Sequence, residues 1–582
     1  MNVNEYEVLK MVYFNPSASQ RELSAFTGLS LGKINKSIKK LKDNKFLNDK
    51  NQITEKTYLT ISNNKPESAI ILSAGYGLKT IPLCRETPKA LLEINGEILI
   101  ERLINQLHDA GVFKIYVVVG YMKEKFEYLI DKYNIEIVVN NDYKLKNNLR
   151  SLDIVSNQIN NTYILPSDIY CYENPFNNVE LYSWYMISKK PSDRSNLKYN
   201  RNKELIRISE CQTGNKEIGI AYVGKNEAEL LKKNIGLLRK SDAYNSVFWE
   251  EAIWTNDKSF LKAKLVDEDF CTEINTYDDL VRADINSVSL NNEYIDIICN
   301  SLNVAKENIH NITLLKSGMT NHSFIFNCND KKYIFRIPGE GTDKLINRKN
   351  EYNVYLQIKD KGISDDIVYI DPEKGYKITE FLENSHNCDP YNDAEVSGCM
   401  NILKAFHEKQ LSVENTFNIF DQIEIYESLR NKDSAYSDYE KVKINVFKLK
   451  EYIDNQDKKL CLTHIDAVPD NFVISNEGIR LIDWEYAAMQ DPHVDIAMFA
   501  IYSLYDKERV DLLIDLYFDN KCPPNVRLKI YCYIAVGGLL WSNWCEYKAT
   551  LGIEFGEYSL RQYRYAKDFY RYFWEAFNSE QS

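Results

Sequence analysis

Four short apolar runs constrain this chain more than any other feature: AIILSAG (69 to 75), KIYVVVGY (114 to 121), IEIVVNN (135 to 141) and TYILPSD (162 to 168). Runs of this length, rich in Val, Ile and Leu, suit strands buried on both faces, and helical patterns follow at least the first two. Strand alternating with helix predicts an α/β unit with a mainly parallel sheet. In such sheets ligands gather beyond the carboxyl ends of the strands. Gly75 ends the first run with Gly77 just beyond it, and Asp168 ends the fourth.

The unit is flanked by chain of different character. Of 582 residues, 44% are hydrophobic and 27% charged, which supports several folded cores and excludes global disorder. The net charge is −12, yet residues 1 to 62 hold ten Lys or Arg against six Asp or Glu. Ser19 precedes an amphipathic stretch, Gly28 makes a turn, and LGKINKSIKKLKDNKFL carries apolar residues at helical spacing. NQITEKTYLTIS then alternates like a short hairpin wing, and the whole resembles a winged helix-turn-helix domain. Lys33, Lys36, Lys39 and Lys40 fall on or near the exposed face of its second helix, where a solvated surface and a DNA contact are both open readings. The polar break SNNKPES and a change of pattern near residue 291 give three expected domains, 1–66, 67–290 and 291–582. The start MNVNEYEVLK lacks a basic-then-apolar signal, and no apolar run reaches the ~20 residues of a membrane span, so the expected location is cytoplasmic. Twelve scattered cysteines without a CxxC pair read as reduced thiols.

In the middle domain, AIILSAGYGLKTIPLCRETPKALLEING sets a glycine turn after a strand, where backbone N–H groups can approach phosphate oxygens. Lys79 and Lys89 would supply the positive charge that a triphosphate needs. Together with Pro82, Thr87 and Pro88, the run resembles the nucleotidyltransferase family, nearest to bacterial CTP:phosphocholine cytidylyltransferases, with a Rossmann-like fold over about residues 67 to 290. GYMKEKFEYL, NNLRSL and EINTYDDL extend the likeness. The resemblance implies a metal at Asp168 and Asn275, and Lys89 on the attacking phosphate or the α-phosphate. Leu78, Lys79 and Asn275 depart from the family pattern, which usually has a small hydroxyl residue, an arginine and an acid there. Trp249 and Glu250 suit either a quaternary ammonium group or plain helix packing.

The C-terminal half carries a second signature. His464, Asp466 and Asn471 form an HxDxxxxN loop, and Asp483 follows a further apolar strand. This is a kinase-like phosphotransferase arrangement: Asp466 orients or accepts the substrate hydroxyl, while Asn471 and Asp483 hold Mg²⁺ on ATP. KSGMTNHSF, with Ser317, Thr320 and Asn321, would turn over the phosphates. Arg336 stands at the phosphate-pairing cation position with Glu351 as its ion-pair partner, and KITEFLEN reads as the strand against adenine. GTDKLINR, HIDAVPDNF, LIDWEYAAMQDP and WSNWCEYKATLGIEFGEY resemble bacterial choline kinases of the aminoglycoside-phosphotransferase superfamily, a two-lobed α+β fold. That likeness implies a choline pocket from Trp541, Trp544 and Tyr565. Where relatives often have a carboxylate this chain has Tyr502, so another acid, such as Glu485, would provide the negative charge. The expectation is a bifunctional enzyme using Mg²⁺, ATP and CTP to take choline through phosphocholine to CDP-choline, for cell-surface decoration. The rivals are the same chemistry on ethanolamine or another amino alcohol, and a DNA-binding regulator whose enzymatic domains act as sensors.

Overall fold

The computed structural model describes residues 1–75, 82–83, 87–144, 147–193, 195–208, 213–255, 258–315, 321–339 and 346–581. The chain forms two compact units, 1–314 and 315–582. The first opens with helices α1 (Val3–Phe14), α2 (Gln20–Thr27), α3 (Leu31–Asp43) and α4 (Glu55–Asn63). Ser19 caps α2: its hydroxyl accepts from the Glu22 N–H and the Glu22 carboxylate accepts from the Ser19 N–H. Gly28, at φ +65°, ends the helix in the left-handed region. The expected hairpin wing is reduced to one bridge, Leu47 to Ile53, and α4 follows at once. Thr57 and Ile61, four apart, are the residues α4 buries, so the apparent alternation hid a helical period. Val8, Leu9 and Val12 of α1 pack with Leu23, Ile34, Ile38 and Leu41, and the same core takes in Val179 and Leu181. Lys10 Nζ lies 3.2 Å from Glu180, and the Tyr182 hydroxyl donates to Glu7 at 2.5 Å.

The rest of this unit is built on β1 (Ser68–Ser73), β2 (Lys114–Val119), β3 (Glu136–Val139), β4 (Thr162–Pro166), β5 (Ile169–Cys171), β6 (Trp184–Ser192), β7 (Gly214–Val223), β8 (Lys262–Val266) and β9 (Cys271–Glu273). Seven strands form one sheet in the order β8-β6-β7-β4-β1-β2-β3. The four apolar runs of the sequence are its parallel strands β1 to β4. Successive residues alternate between two cores: Ile71, Val117 and Leu165 on one face, Ile70, Val118 and Ile164 on the other. Helix α5 (Leu99–Asp109) buries Leu99, Leu103 and Leu107 at helical spacing. Helix α6 (Asn148–Ile154) precedes β4, and α7 (Tyr277–Ala283) follows the small antiparallel ladder of β5 with β9. The compact unit runs past the expected 290/291 boundary. The Tyr277 hydroxyl donates to the Lys306 carbonyl at 3.0 Å, and the Asn311 N–H to Asp278 at 2.8 Å.

The second unit begins with β10 (Asn321–Cys328), β11 (Lys331–Pro338), α8 (Arg348–Ile358), β12 (Ile367–Ile370) and β13 (Lys377–Glu380). Its strands run antiparallel in the order β10-β11-β13-β12. A largely helical part follows, with β14 (Cys461–Thr463), β15 (Phe472–Ser475), β16 (Gly478–Leu481), α9 (His493–Tyr502), α10 (Pro524–Thr550) and α11 (Glu557–Gln581). Helices α10 and α11 approach so closely that a Cβ at Gly538 would sit 2.6 Å from the Gln562 carbonyl oxygen. Among the described residues no helix is long and apolar enough to cross a membrane.

Candidate active sites

A cleft of about 340 Å³ opens at the carboxyl ends of β1 and β4. Gly75, Lys89, Asp168, Trp249 and Glu250 line it, joined by Asn147, Asn148 and Ser151 from the NNLRSL segment. A Cβ at Gly75 would meet nothing within 4 Å, so its lack of a side chain leaves room in the cleft rather than serving packing. Lys89 starts a single 3₁₀ turn after Pro88, and its Nζ donates to Asp168 Oδ2 at 2.5 Å and Asn275 Oδ1 at 2.6 Å. Three residues up to 186 positions apart thus meet at one ammonium group. Asp168 follows β4, and its backbone carbonyl accepts from the Ile274 N–H at 2.9 Å, which brings the loop bearing Asn275 alongside. Two oxygen donors converging on one cation are a donor set that suits a hard metal ion as well. Gly77 and Lys79 lie outside the described residues.

Trp249 is fully buried, tilted against Tyr185 with ring centroids 5.9 Å apart, which makes it chiefly a packing residue. The aromatic ring exposed beside it is that of Phe248, which sequence reading passed over. Burial pushes the Glu250 carboxyl up to about 8, with Glu217 adding to the effect; the Tyr185 hydroxyl donates to it at 3.3 Å. Gly120, just after β2, touches two residues that line the cleft, Ala74 and Tyr143. A Cβ there would lie 2.8 Å from the Ala74 carbonyl oxygen and from the Tyr143 side chain, so only glycine lets β1, β2 and the Tyr143 segment meet beside the cleft.

The second unit holds a larger cavity, about 650 Å³, lined by Arg336, Asp466, Asn471, Asp483, Glu485, Trp541 and Trp544 among others. Arg336 on β11 and Glu351 on α8 form a buried bidentate pair, Nη1 to Oε1 at 2.5 Å and Nη2 to Oε2 at 2.9 Å. Arg336 Nη2 also donates to the Gly375 carbonyl, and Nη1 lies 3.6 Å from Asp483 Oδ1. Thr379 and Lys377 on β13 line the same cavity. Asn471 Nδ2 donates to the Asp466 carboxylate at 3.1 Å and to its carbonyl at 2.8 Å, fixing the loop. Burial, then the neighbouring Asp483 and Glu485 charges, hold the Asp466 carboxyl well above its usual range. Asp483 Oδ1 is buried with no hydrogen-bond partner among the described residues. A buried carboxylate oxygen that accepts no hydrogen bond, in a cluster of acids with Arg336 3.6 Å away, fits a divalent cation, which Asn471 and Asp483 would hold.

His464 orders this loop: its Nε2 pairs with the Ile482 carbonyl at 2.9 Å and it is fully buried. The strongest ordering group is Asp495 on α9, absent from the sequence reading. Its carboxylate accepts from the backbone N–H groups of His464 at 3.0 Å and Ile465 at 2.6 Å. Ile465 sits at φ +71°, a left-handed backbone that a β-branched residue adopts only when held there. Ser317 and Thr320 lie outside the described residues; Asn321 opens β10, and its side chain is not described.

Trp541 and Trp544 pack edge to face at 5.5 Å on one side of α10 and face the cavity with Tyr486, Tyr502 and Tyr558. Tyr565, the expected third wall, is elsewhere. It is buried between helices, donates to the Tyr505 carbonyl at 2.6 Å, and packs on Gly538. Tyr558, at the first turn of α11, faces the cavity instead. Glu485 reaches the cavity but is partnered by Arg348 at 3.4 Å. A freer carboxylate is Asp470, exposed, lining the cavity and fixed by the Tyr502 hydroxyl at 2.6 Å.

Residues 312–513 match the choline/ethanolamine kinase family, 69–174 the MobA-like NTP transferase domain, and 1–47 a winged helix-turn-helix DNA-binding domain. The chain is 30% identical over 259 residues to Protein LicA of Haemophilus influenzae, covering 42% of this chain and 96% of that protein. It is 32% identical over 194 residues to the choline-phosphate cytidylyltransferase of Streptococcus pneumoniae, 33% of this chain and 84% of that one. The crystal structure of choline kinase LicA from Streptococcus pneumoniae aligns with 29% identity and a TM-score of 0.43, covering 48% of this chain and 99% of that chain. With both relatives spanned over most of their length, the chain is a transferase that belongs to the choline/ethanolamine kinase family through its C-terminal half and to the choline-phosphate cytidylyltransferases of the MobA-like NTP transferase family through its middle, behind a winged helix-turn-helix domain.

Proposed function

We propose that this chain phosphorylates choline with ATP and couples the resulting phosphocholine to CTP, releasing CDP-choline and pyrophosphate. The observation that carries the reading is the cavity in which Asp466, Asn471 and Asp483 face Trp541 and Trp544. A quaternary ammonium offers no N–H donor, so aromatic faces are its natural surroundings, each worth roughly 0.5–2 kcal/mol, and Asp470 adds a fixed negative charge. Asp466 would orient the choline hydroxyl and take its proton, while Arg336, held rigid by Glu351, draws the ATP phosphates into place. In the middle domain Lys89 would leave Asp168 and Asn275 to meet the incoming phosphates, bringing two anions together without a side-chain nucleophile. Mg²⁺, when bound, offsets the charge on the phosphates at both sites.

The chain would act in the cytoplasm as three modules, 1–66, 67–314 and 315–582, with the product serving as an activated head group for cell-surface phosphocholine decoration. The exposed Lys33, Lys36 and Lys39 of α3 support DNA contact by the first module. The test is product analysis after incubation with choline, ATP, CTP and Mg²⁺. Asp466→Ala should lower choline phosphorylation by at least ~10³-fold and leave CDP-choline formation from added phosphocholine intact. Equal turnover of ethanolamine and choline would remove the choline assignment. No turnover, with salt-sensitive binding of specific DNA, would favour a regulator.

A further inference from the structure

We infer that Cys171 and Cys271 are an oxidisable dithiol whose disulfide would tie together the two strands that present Asp168 and Asn275. Cys171 ends β5 and Cys271 opens β9, directly opposite one another in the antiparallel ladder. The Tyr172 N–H donates to the Phe270 carbonyl at 3.1 Å, and the Ile274 N–H to the Asp168 carbonyl at 2.9 Å. Alternation along the ladder therefore makes 171/271 a non-hydrogen-bonded pair, the position where opposite side chains come closest. The two sulfurs are 2.9 Å apart, both thiols are free, and they lie 100 positions apart in the chain. Asp168 is the third residue before Cys171, and Asn275 the fourth after Cys271. A covalent link here would fix the spacing of the segments that carry both oxygen donors of Lys89.

Both thiols are buried, and the partner thiol together with burial holds Cys171 well above its ordinary range, so reaction requires local opening. The ladder allows that: it has two strands of three residues, and Tyr172 beside it is 47% exposed. With a peroxide as oxidant, one thiolate attacks the O–O bond and becomes a sulfenic acid, releasing one water after protonation. The other thiolate displaces hydroxide from that sulfur. Two thiols and one hydrogen peroxide give one disulfide and two waters.

The inference rests on strand register and not on the proposed reaction, so its failure and that of the reaction are told apart. The full chain would be exposed to hydrogen peroxide under native conditions, alkylated, digested without reduction and mapped by mass spectrometry. The expected result is a 171–271 linked peptide in most molecules, two hydrogens lighter than the sum of its parts and lost on reduction. The oxidised protein should also unfold at a midpoint higher by roughly 5 °C or more, and Cys271→Ser should show neither change. Recovery of both cysteines as separately alkylated thiols, or their linkage to other cysteines, would overturn the inference. Should the variant fail to fold, the mapping of the unaltered chain decides by itself.

Discussion

Glu351 serves two guanidinium groups at once, Arg336 on one side and Arg348 at 3.0 Å on the other. Burial opposes its charge, yet Arg336 above all, with Lys377 and Arg348, outweighs burial and holds the carboxyl below its ordinary range. Its stabilising contribution is therefore complete above the unfolded-state pKa and lost as pH falls. Glu351→Ala would take from two buried cations the carboxylate they share, leaving Arg336 to the more distant Asp483 and Arg348 to Glu485, and should cost about 3–5 kcal/mol in denaturant unfolding of the C-terminal unit. Glu250 is the opposite case. Its carboxyl, raised by burial to about 8, favours the protonated form in the fold, so stability is lost as pH climbs from the unfolded value toward 8. Glu250→Gln should flatten that decline, gaining on the parent chain with pH by up to ~1.4 kcal/mol per unit in melts between pH 5 and 8. Residues of this kind differ in how far sequence reveals them. Asp466 and Asn471 are legible because a fixed loop spacing carries them. Asp495 is not, since it sits in an apolar helix whose carboxylate matters only once backbone N–H groups of a distant loop reach it. Asp470 becomes visible only through the Tyr502 hydroxyl, a contact across 32 positions.

At the scale of elements, the parallel strands were legible from apolar runs alone, because a strand buried on both faces leaves little other choice of residue. Aromatic helices are harder. Trp541, Trp544 and Tyr565 share a chemistry, but the side of α10 or α11 on which each falls is set by how closely the helices pack, and Gly538 sets that. Its added Cβ would meet the Gln562 carbonyl oxygen and Tyr565, so Gly538→Ala should destabilise the C-terminal unit by about 1–3 kcal/mol, read as a lower denaturant midpoint with unchanged slope. The wing is misleading for a related reason: Thr57, Leu59 and Ile61 alternate in TEKTYLTIS, but Leu59 is exposed and only packing beneath Thr57 and Ile61 selects the helix.

For the whole molecule, two sites in separate compact units predict separable activities. Asp168→Ala alone should accumulate phosphocholine from choline and ATP, with CDP-choline formation down at least ~10²-fold. Mixing it with Asp466→Ala protein should restore CDP-choline synthesis through released phosphocholine, followed by chromatography of labelled choline. Failure of the mixture with both single activities present would mean the intermediate is not released. The N-terminal module has another relation to the enzyme. Since Val179 and Leu181 share a core with Val8, Leu9 and Val12, and Glu180 would keep only Lys264 of its two lysine partners, a chain shortened to begin at residue 67 would present a greasy scar to water. Whatever the winged helix recognises, it also covers part of its neighbour's interior, and cutting it away should yield a sticky catalyst rather than a simpler one.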